Sequence, residues 1–208
     1  MYKPIAIKRS SKFGNNYWEA YSPKLKRNIY LFSDLEYDFW ILVETNPLIE
    51  MFCERPLEIE IFSEGKLKKV MISMWLKWLN SKEEYVSIRY SSNLKDVNTL
   101  QIWCNKLGKN FVLKTEKEIR ENKIFLDNMK TLLPYISNRL TPIETDIHMI
   151  KKFLHDHEKC SLCSLEKLLN MESSRVREAI FWLYYHGTIS ANFDKALVGP
   201  NLEVWLND

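Results

Sequence analysis

The apolar residues of this chain change their periodicity once, near Asn138, and that change constrains the fold more than any other feature. Upstream, short segments alternate apolar and polar residues, the period of a strand with one buried face, and helical repeats stand between them. Downstream, the repeat is helical until a short pair of strands closes the chain. The pattern predicts two domains, residues 1–137 and 138–208. The first reads as α/β, a mixed sheet flanked by helices, and the second as a winged helix.

Local signals place the elements. Ser33-Asp34-Leu35-Glu36 is a capping box: the serine oxygen accepts from the N3 amide and the glutamate reaches back. Leu35, Phe39, Leu42 and Val43 follow at helical spacing until Asn46-Pro47. Leu57–Phe62 alternates and predicts a strand turned at Glu64-Gly65. Val70–Trp78, with Lys77 its only charge, predicts a second, and Tyr85–Tyr90 a third. A helix over Asp96–Leu107 ends at Gly108, and a short buried strand covers Asn110–Leu113. The capping box Thr115-Glu116-Lys117-Glu118 opens a helical stretch to about Leu133, before Pro134. In the second domain Thr141, Pro142 and Glu144 read as N-cap, N1 and N3 of a helix reaching His157. A short helix near Leu165–Leu169, a third over Ser174–His186 closed by Gly187, and strands at Thr188–Asn192 and Leu202–Leu206 complete the winged-helix pattern.

A chain of 208 residues can bury a core without staples, and its four Cys lack framework spacing, so reduced thiols are expected. No apolar run approaches the ~18 residues that span a bilayer. The start Met1-Tyr2-Lys3-Pro4 has no apolar signal core behind it, so a cytoplasmic location is expected. The net charge of +3 is uneven. Residues 1–137 carry 22 basic and 17 acidic side chains, and residues 138–208 carry 8 and 10. The first 32 residues hold seven basic side chains against one acid, Glu19, with Tyr17, Trp18, Tyr21 and Tyr30 among them. Cations neutralise phosphates and aromatic faces stack on bases, which makes Lys8, Arg9, Lys12, Lys24, Lys26 and Arg27 candidate DNA contacts. A solubilising terminal segment would have the same composition.

Four stretches, in this order and spacing, resemble the TnsA family, endonuclease subunits of heteromeric transposons. Ser33–Glu44 is similar to the family's Ser-x-x-Glu helix. Glu54-Arg55-Pro56-Leu57-Glu58-Ile59 is similar to its Glu-x-Pro segment at the start of a strand. Phe111-Val112-Leu113-Lys114-Thr115-Glu116-Lys117-Glu118-Ile119-Arg120 is close to its most recognisable segment, and Asn128–Tyr135 matches a helix end with paired leucines. The resemblance covers most of residues 20–137. It implies a fold similar to type II restriction enzymes, with double-stranded DNA at transposon ends as the nucleic-acid partner. It also implies a DDE-type transposase and an ATPase regulator as protein partners. Family chemistry uses acidic residues to hold one or two Mg²⁺ ions, which polarise the scissile phosphate and acidify the attacking water, and a Lys beside that water.

Carried over residue by residue, the family's helix Glu falls on Glu36. The Asp of its Pro-Asp-Phe motif falls on Met74, within Ser73-Met74-Trp75. Its Glu- or Gln-x-Lys falls on Ser87-Ile88-Arg89. Mg²⁺ takes oxygen ligands, so a thioether does not replace the Asp. Arg89 keeps a positive charge but releases no proton near neutral pH. Glu36 is the one metal ligand left, and the capping box also explains it; Met74 and Trp75 suit a core as well. The resemblance therefore implies a subunit that binds transposon ends and docks to partners with weak or no nuclease activity, Glu36 and Arg89 being vestiges of the site. Two alternatives stay open. An active Mg²⁺-dependent endonuclease would need relocated ligands such as Glu58, Glu60, Glu83 or Glu84. A winged-helix DNA-binding regulator unrelated to transposition would act through residues 138–208.

In the second domain, Arg175 and Arg177 stand near the start of the third helix, where a recognition helix meets DNA. The domain is nevertheless net acidic, and Phe181, Trp182, Leu183 and Tyr184 make that helix strongly apolar, which favours docking to protein. His155, His157, Cys160 and Cys163 are residue types that zinc accepts. Their nine-residue run is compact for such a site, and Cys163 equally suits packing as a small apolar side chain. No Gly-rich phosphate loop or Ser-His-Asp arrangement is visible.

Overall fold

The computed structural model describes residues 2–9, 16–63, 66–90, 94–137 and 141–207. Lys12, the Glu64-Gly65 turn and Asn138 lie outside the described residues. The protein is mixed α/β, with a mixed sheet. It divides into two compact units, Met1–Glu44 with Leu48–Glu121, and Thr45–Pro47 with Asn122–Asp208.

In the first unit, β1 (Trp18–Ser22) and β2 (Arg27–Leu31) form an antiparallel hairpin within the segment whose sequence shows only charge and aromatics. Ile29 and Leu31 are buried while Asn28 and Tyr30 are exposed, the period of a strand with one covered face. Next comes α1 (Asp34–Thr45). The Glu36 N–H donates to Ser33 Oγ (3.1 Å), and the Glu36 carboxylate accepts from the Phe32 N–H (2.9 Å), one residue before the cap. Leu35, Phe39, Trp40, Ile41 and Val43 are its buried apolar residues.

β3 (Ile49–Glu54) precedes a second hairpin, β4 (Glu58–Ser63) with β5 (Lys66–Met71). The apolar run Val70–Trp78 is not one strand, because its backbone donors change partners midway. The Ile72 N–H bonds Leu57 O (3.0 Å) and the Ser73 N–H bonds Val86 O (3.0 Å), so the chain leaves the hairpin and enters another sheet. There β6 (Met74–Trp78) lies between β3 and β7 (Glu83–Arg89), antiparallel to both. The helix α2 (Leu94–Lys106) then provides the crossover that a parallel neighbour requires, and β8 (Phe111–Thr115) runs parallel to β7. Gly108, at φ +63°, ends α2 as its sequence position predicts.

Cys53, Trp75, Tyr85 and Phe111 from this sheet pack with Val97, Leu100 and Cys104 of α2 and with Ile59, Val70 and Ile72 of the β4–β5 segment. Each large apolar side chain so buried stabilises by roughly 1.5–3 kcal/mol.

The capping box at Thr115 forms, with both Thr115 and Glu118 engaged, but it opens a single turn, α3 (Glu116–Ile119). A separate helix, α4 (Lys123–Ser137), carries Pro134 within it rather than ending before it. A proline inside a helix costs about 3 kcal/mol. Burial of Ile136 beyond it and the edge-to-face contact of Tyr135 with Phe181 (4.9 Å) oppose that loss.

The second unit joins α4 to α5 (Glu144–Asp156), β9 (Cys160–Ser161), α6 (Leu162–Leu168), α7 (Ser173–Tyr185), β10 (Ile189–Ala191) and β11 (Glu203–Leu206), with α4 packed on α7. The compact boundary thus falls ahead of α4, whereas the change in periodicity falls after it. The three strands pair antiparallel in the order β10-β11-β9. α5 begins at Glu144 with Ile143 as its cap and no side-chain cap bond, so Thr141 does not cap it. Gly187, at φ +69°, follows α7 as expected. Ile150, Leu154, Leu165, Val176, Ile180, Phe181 and Val204 are buried in this unit. Among the described residues, no helix is long and apolar enough to cross a membrane.

Candidate nucleic-acid interface

The positions carried over from the nuclease pattern fall on neighbouring strands but do not converge. Met74 is the first residue of β6, 1% exposed, and lies opposite Val86 on β7. Successive strand residues point to opposite faces, so Ser87 and Arg89 stand on the other face of the sheet. Ser87 is wholly buried beside Leu113 of β8, and its hydroxyl has no hydrogen-bond partner among the described residues. Arg89 donates to the Ile88 carbonyl (3.0 Å). Glu36 is held by the start of α1, as above, and its charge is felt at Arg55. A thioether, a hydroxyl and a guanidinium on two faces do not fit the oxygen-only demand of Mg²⁺.

The acids that could serve as relocated ligands are engaged by other side chains. Lys69 lies 3.5 Å from Glu58 and 4.0 Å from Glu60. Glu83 accepts from the Trp75 indole (2.8 Å), and Glu84 pairs with Lys82 (2.8 Å). His155 sits exposed beside Asp156, and His157 stacks on Phe153 at 4.1 Å. Cys160 is buried, which raises its thiol pKa, and all four cysteines are free. Among the described residues, no group of three or more His, Cys, Asp or Glu is arranged to hold a metal ion.

The candidate DNA-contacting cations have diverse fates. Lys8 and Arg9 are exposed, and the Arg9 guanidinium lies 4.9 Å from the Tyr17 ring centre. Lys26 is exposed in the β1–β2 turn at φ +53°. The Lys24 ammonium donates to Ile49 O (2.8 Å), and burial lowers its pKa to about 8 against the opposing charge of Glu44. Arg27 grips both carboxylate oxygens of Glu54 (2.7 and 2.6 Å), and those bonds raise the Arg27 pKa. Arg175 likewise holds both oxygens of Asp146 (2.8 and 2.5 Å). The Nε of Arg177 is buried without a hydrogen-bond partner among the described residues. Lys24 and Arg27 therefore fasten the β1–β2 hairpin to β3, whereas Lys8, Arg9 and Lys26 face solvent.

One cation was not singled out by charge or spacing. Arg55, between Glu54 and Pro56, is 5% exposed and adopts φ +47°, a conformation that side chains rarely take. Its Nε donates to Ile5 O (3.1 Å) and its Nη1 to Tyr30 O (2.6 Å), and the Ile5 N–H returns a bond to Arg55 O (3.0 Å). Burial lowers its pKa, with the charges of Glu54 and Glu36 opposing. The available signal was an arginine directly before proline, a position whose backbone is restricted.

The aromatic residues of the segment also divide. Trp18 stacks on Tyr37 at 4.1 Å and donates to Asp34 (2.9 Å). Tyr17 lies near-parallel to Tyr30, with ring centres 6.3 Å apart. Compared with known proteins, the chain matches no protein-family model and no curated protein.

Proposed function

We propose that this chain is a TnsA-like subunit of a DNA transposition complex that binds double-stranded DNA at transposon ends and does not itself cut it. One observation carries the reading. The helix position, the first residue of β6 and the centre of the adjacent β7 are where the family pattern puts its ligands, and here they hold Glu36, Met74 and Ser87 with Arg89. Placement on those elements supports the restriction-enzyme-like fold. Side-chain chemistry and the split between two faces support loss of cleavage. Contact with DNA would come from the solvent-facing cations Lys8, Arg9 and Lys26, which can neutralise phosphates.

The second unit supports the winged-helix reading. After α4 it runs helix, strand, helix, helix, strand, strand, with the three strands in one small sheet. On that reading α7 is the recognition helix and β10–β11 the wing. Arg175 is occupied by Asp146 and the Arg177 Nε is buried, so α7 favours docking to a protein partner, the transposase or the ATPase regulator, over reading bases.

The test is a supercoiled-plasmid nicking assay with Mg²⁺ or Mn²⁺, alone and with the transposase, together with duplex binding across a salt series. Expected are duplex binding that weakens steeply with salt and no nicking above background. Metal-dependent nicking that disappears in Glu36→Ala would overturn the non-cleaving part. Absence of duplex binding at low salt, with the transposase present, would overturn the DNA-binding part.

A further inference from the structure

Beside β2 the N-terminal segment borders an open cavity of about 280 Å³, lined by Arg9, Tyr17, Tyr30, Phe32 and Arg55 together with the aliphatic Ala6 and Ile7. Two anchors hold the segment in place. One is the reciprocal pair between Ile5 and Arg55 already described. The other is the Tyr2 hydroxyl, 2.6 Å from the Tyr85 hydroxyl, which in turn accepts from the Lys109 ammonium (2.6 Å). The cavity lies just below the ~300–1,000 Å³ range of small-molecule sites, room for one nucleotide but not for a duplex.

Its walls combine two chemistries. Arg55 is 5% exposed, and its guanidinium bonds only main-chain carbonyls and makes no direct ion pair among the described residues. Glu54 and Glu36 act on it only through space, and a left-handed backbone at a non-glycine residue adds strain. Backbone strain of this kind gathers at ligand sites. Guanidinium groups recognise phosphate through paired donors. Arg55 lies 5.0 Å from the Phe32 ring centre and Arg9 4.9 Å from that of Tyr17, which leaves each cation beside an aromatic ring. Tyr30 is 39% exposed, so part of its side chain is open to a flat, apolar partner.

We propose that this cavity binds a nucleoside 5′-phosphate unit, the base against the Tyr17 and Tyr30 rings and the phosphate on Arg9 and Arg55. Two sources offer that unit, an unpaired nucleotide at the end of a DNA strand and a free nucleotide. The strand source rests on the DNA-binding reading above; the free nucleotide does not.

The test uses the intact chain at physiological salt and four probes: a blunt duplex, the same duplex with a short single-stranded overhang, thymidine monophosphate and inorganic phosphate. Stacking of an unpaired base predicts an overhang preference on the order of tenfold. Tyr30→Ala, which keeps the carbonyl that Arg55 uses, should abolish that preference. Arg9→Gln should weaken both the overhang preference and the binding of thymidine monophosphate. Saturable thymidine monophosphate binding without an overhang preference would identify the free nucleotide as the occupant. Equal affinity for the two duplexes with no thymidine monophosphate binding would overturn the cavity and leave the proposed function standing. Loss of all duplex binding, with thymidine monophosphate still bound, would overturn the proposed function and leave the cavity standing. Inorganic phosphate bound as tightly as thymidine monophosphate would overturn the part assigned to the base.

Discussion

The two compact units bury polar groups in different ways. Among the described residues, Asp38, Glu44, Glu54, Arg55 and Glu84 are buried charged side chains of the first unit, and Asp146 is that of the second. In the first unit each of these carboxylates has a partner. Arg27 holds Glu54, Arg120 holds Asp38 (2.7 Å), Lys82 holds Glu84, and the Ser22 hydroxyl (2.6 Å) binds Glu44. The second unit fixes its long β10–β11 connection with a neutral amide. Asn128 Nδ2 donates to Phe193 O (2.8 Å) and Ala196 O (2.7 Å), and its Oδ1 accepts from the Val198 N–H (2.9 Å). An amide does this without the desolvation penalty of a charge. The first unit accepts that penalty repeatedly, and at Arg55 without a direct ion pair among the described residues, Glu54 and Glu36 acting on it only through space. The ion pairs there are structural, and the cation that bonds only main-chain carbonyls on a cavity wall is where a ligand is expected.

The largest predicted effect tests where the second unit begins. A fragment of residues 122–208 should unfold cooperatively on heating, whereas 138–208 should show no cooperative transition by circular dichroism, because it loses Asn128 and the buried Met129 and Leu132. A cooperative 138–208 fragment would show that α4 is dispensable to that unit. Next, Arg27→Ala should destabilise by about 3 kcal/mol in urea denaturation, since it strands the 1%-exposed Glu54 carboxylate; the partial exposure of Arg27 keeps the effect at the lower end of the range. Asn128→Ala should destabilise by about 2 kcal/mol, its carbonyl and amide partners losing their bonds. An effect as large as that of Arg27→Ala would erase the contrast between charged and neutral burial.

Two smaller effects sharpen it. Thr115→Ala should cost about 1 kcal/mol. The Thr115 backbone and hydroxyl hold the Glu118 carboxyl below its usual value of 4.5. A depressed carboxyl pKa contributes stability above the unfolded value, and that contribution is lost as pH falls through the folded one. The gap between Thr115→Ala and the unaltered protein should therefore narrow below pH 4.5 in acid titrations of stability. Smallest of all, Ser87→Ala should change stability by less than about 1 kcal/mol, since its buried hydroxyl has no bond to lose. A loss above that would mean that the hydroxyl has a partner in solution.

Elements whose signal lies within a few residues were legible. The caps at Ser33 and Thr115, the glycine ends at Gly108 and Gly187, and the alternating β4 and β7 all follow from local bonding or periodicity. The N-terminal segment showed its charge and aromatics but not that β1 and β2 form a hairpin, because Arg27 meets Glu54 and Lys24 meets Ile49 O only through pairing across distant positions. Ser87 and Arg89 stand at a motif position. That they face away from Met74 depends on the register between β6 and β7, which composition does not carry.

By itself the amino-acid order determined which segments prefer helix or strand, and it put no carboxylate at two positions where a metal-dependent nuclease of this pattern would need one. Tertiary structure decided that Val70–Trp78 is divided between a hairpin and a sheet, that α4 joins the second unit, and that Arg55 is a buried cation on a cavity wall. The reason is physical. Capping and periodicity are short-range properties, whereas the partner of a backbone donor or a buried charge is set by chain segments that meet only after folding.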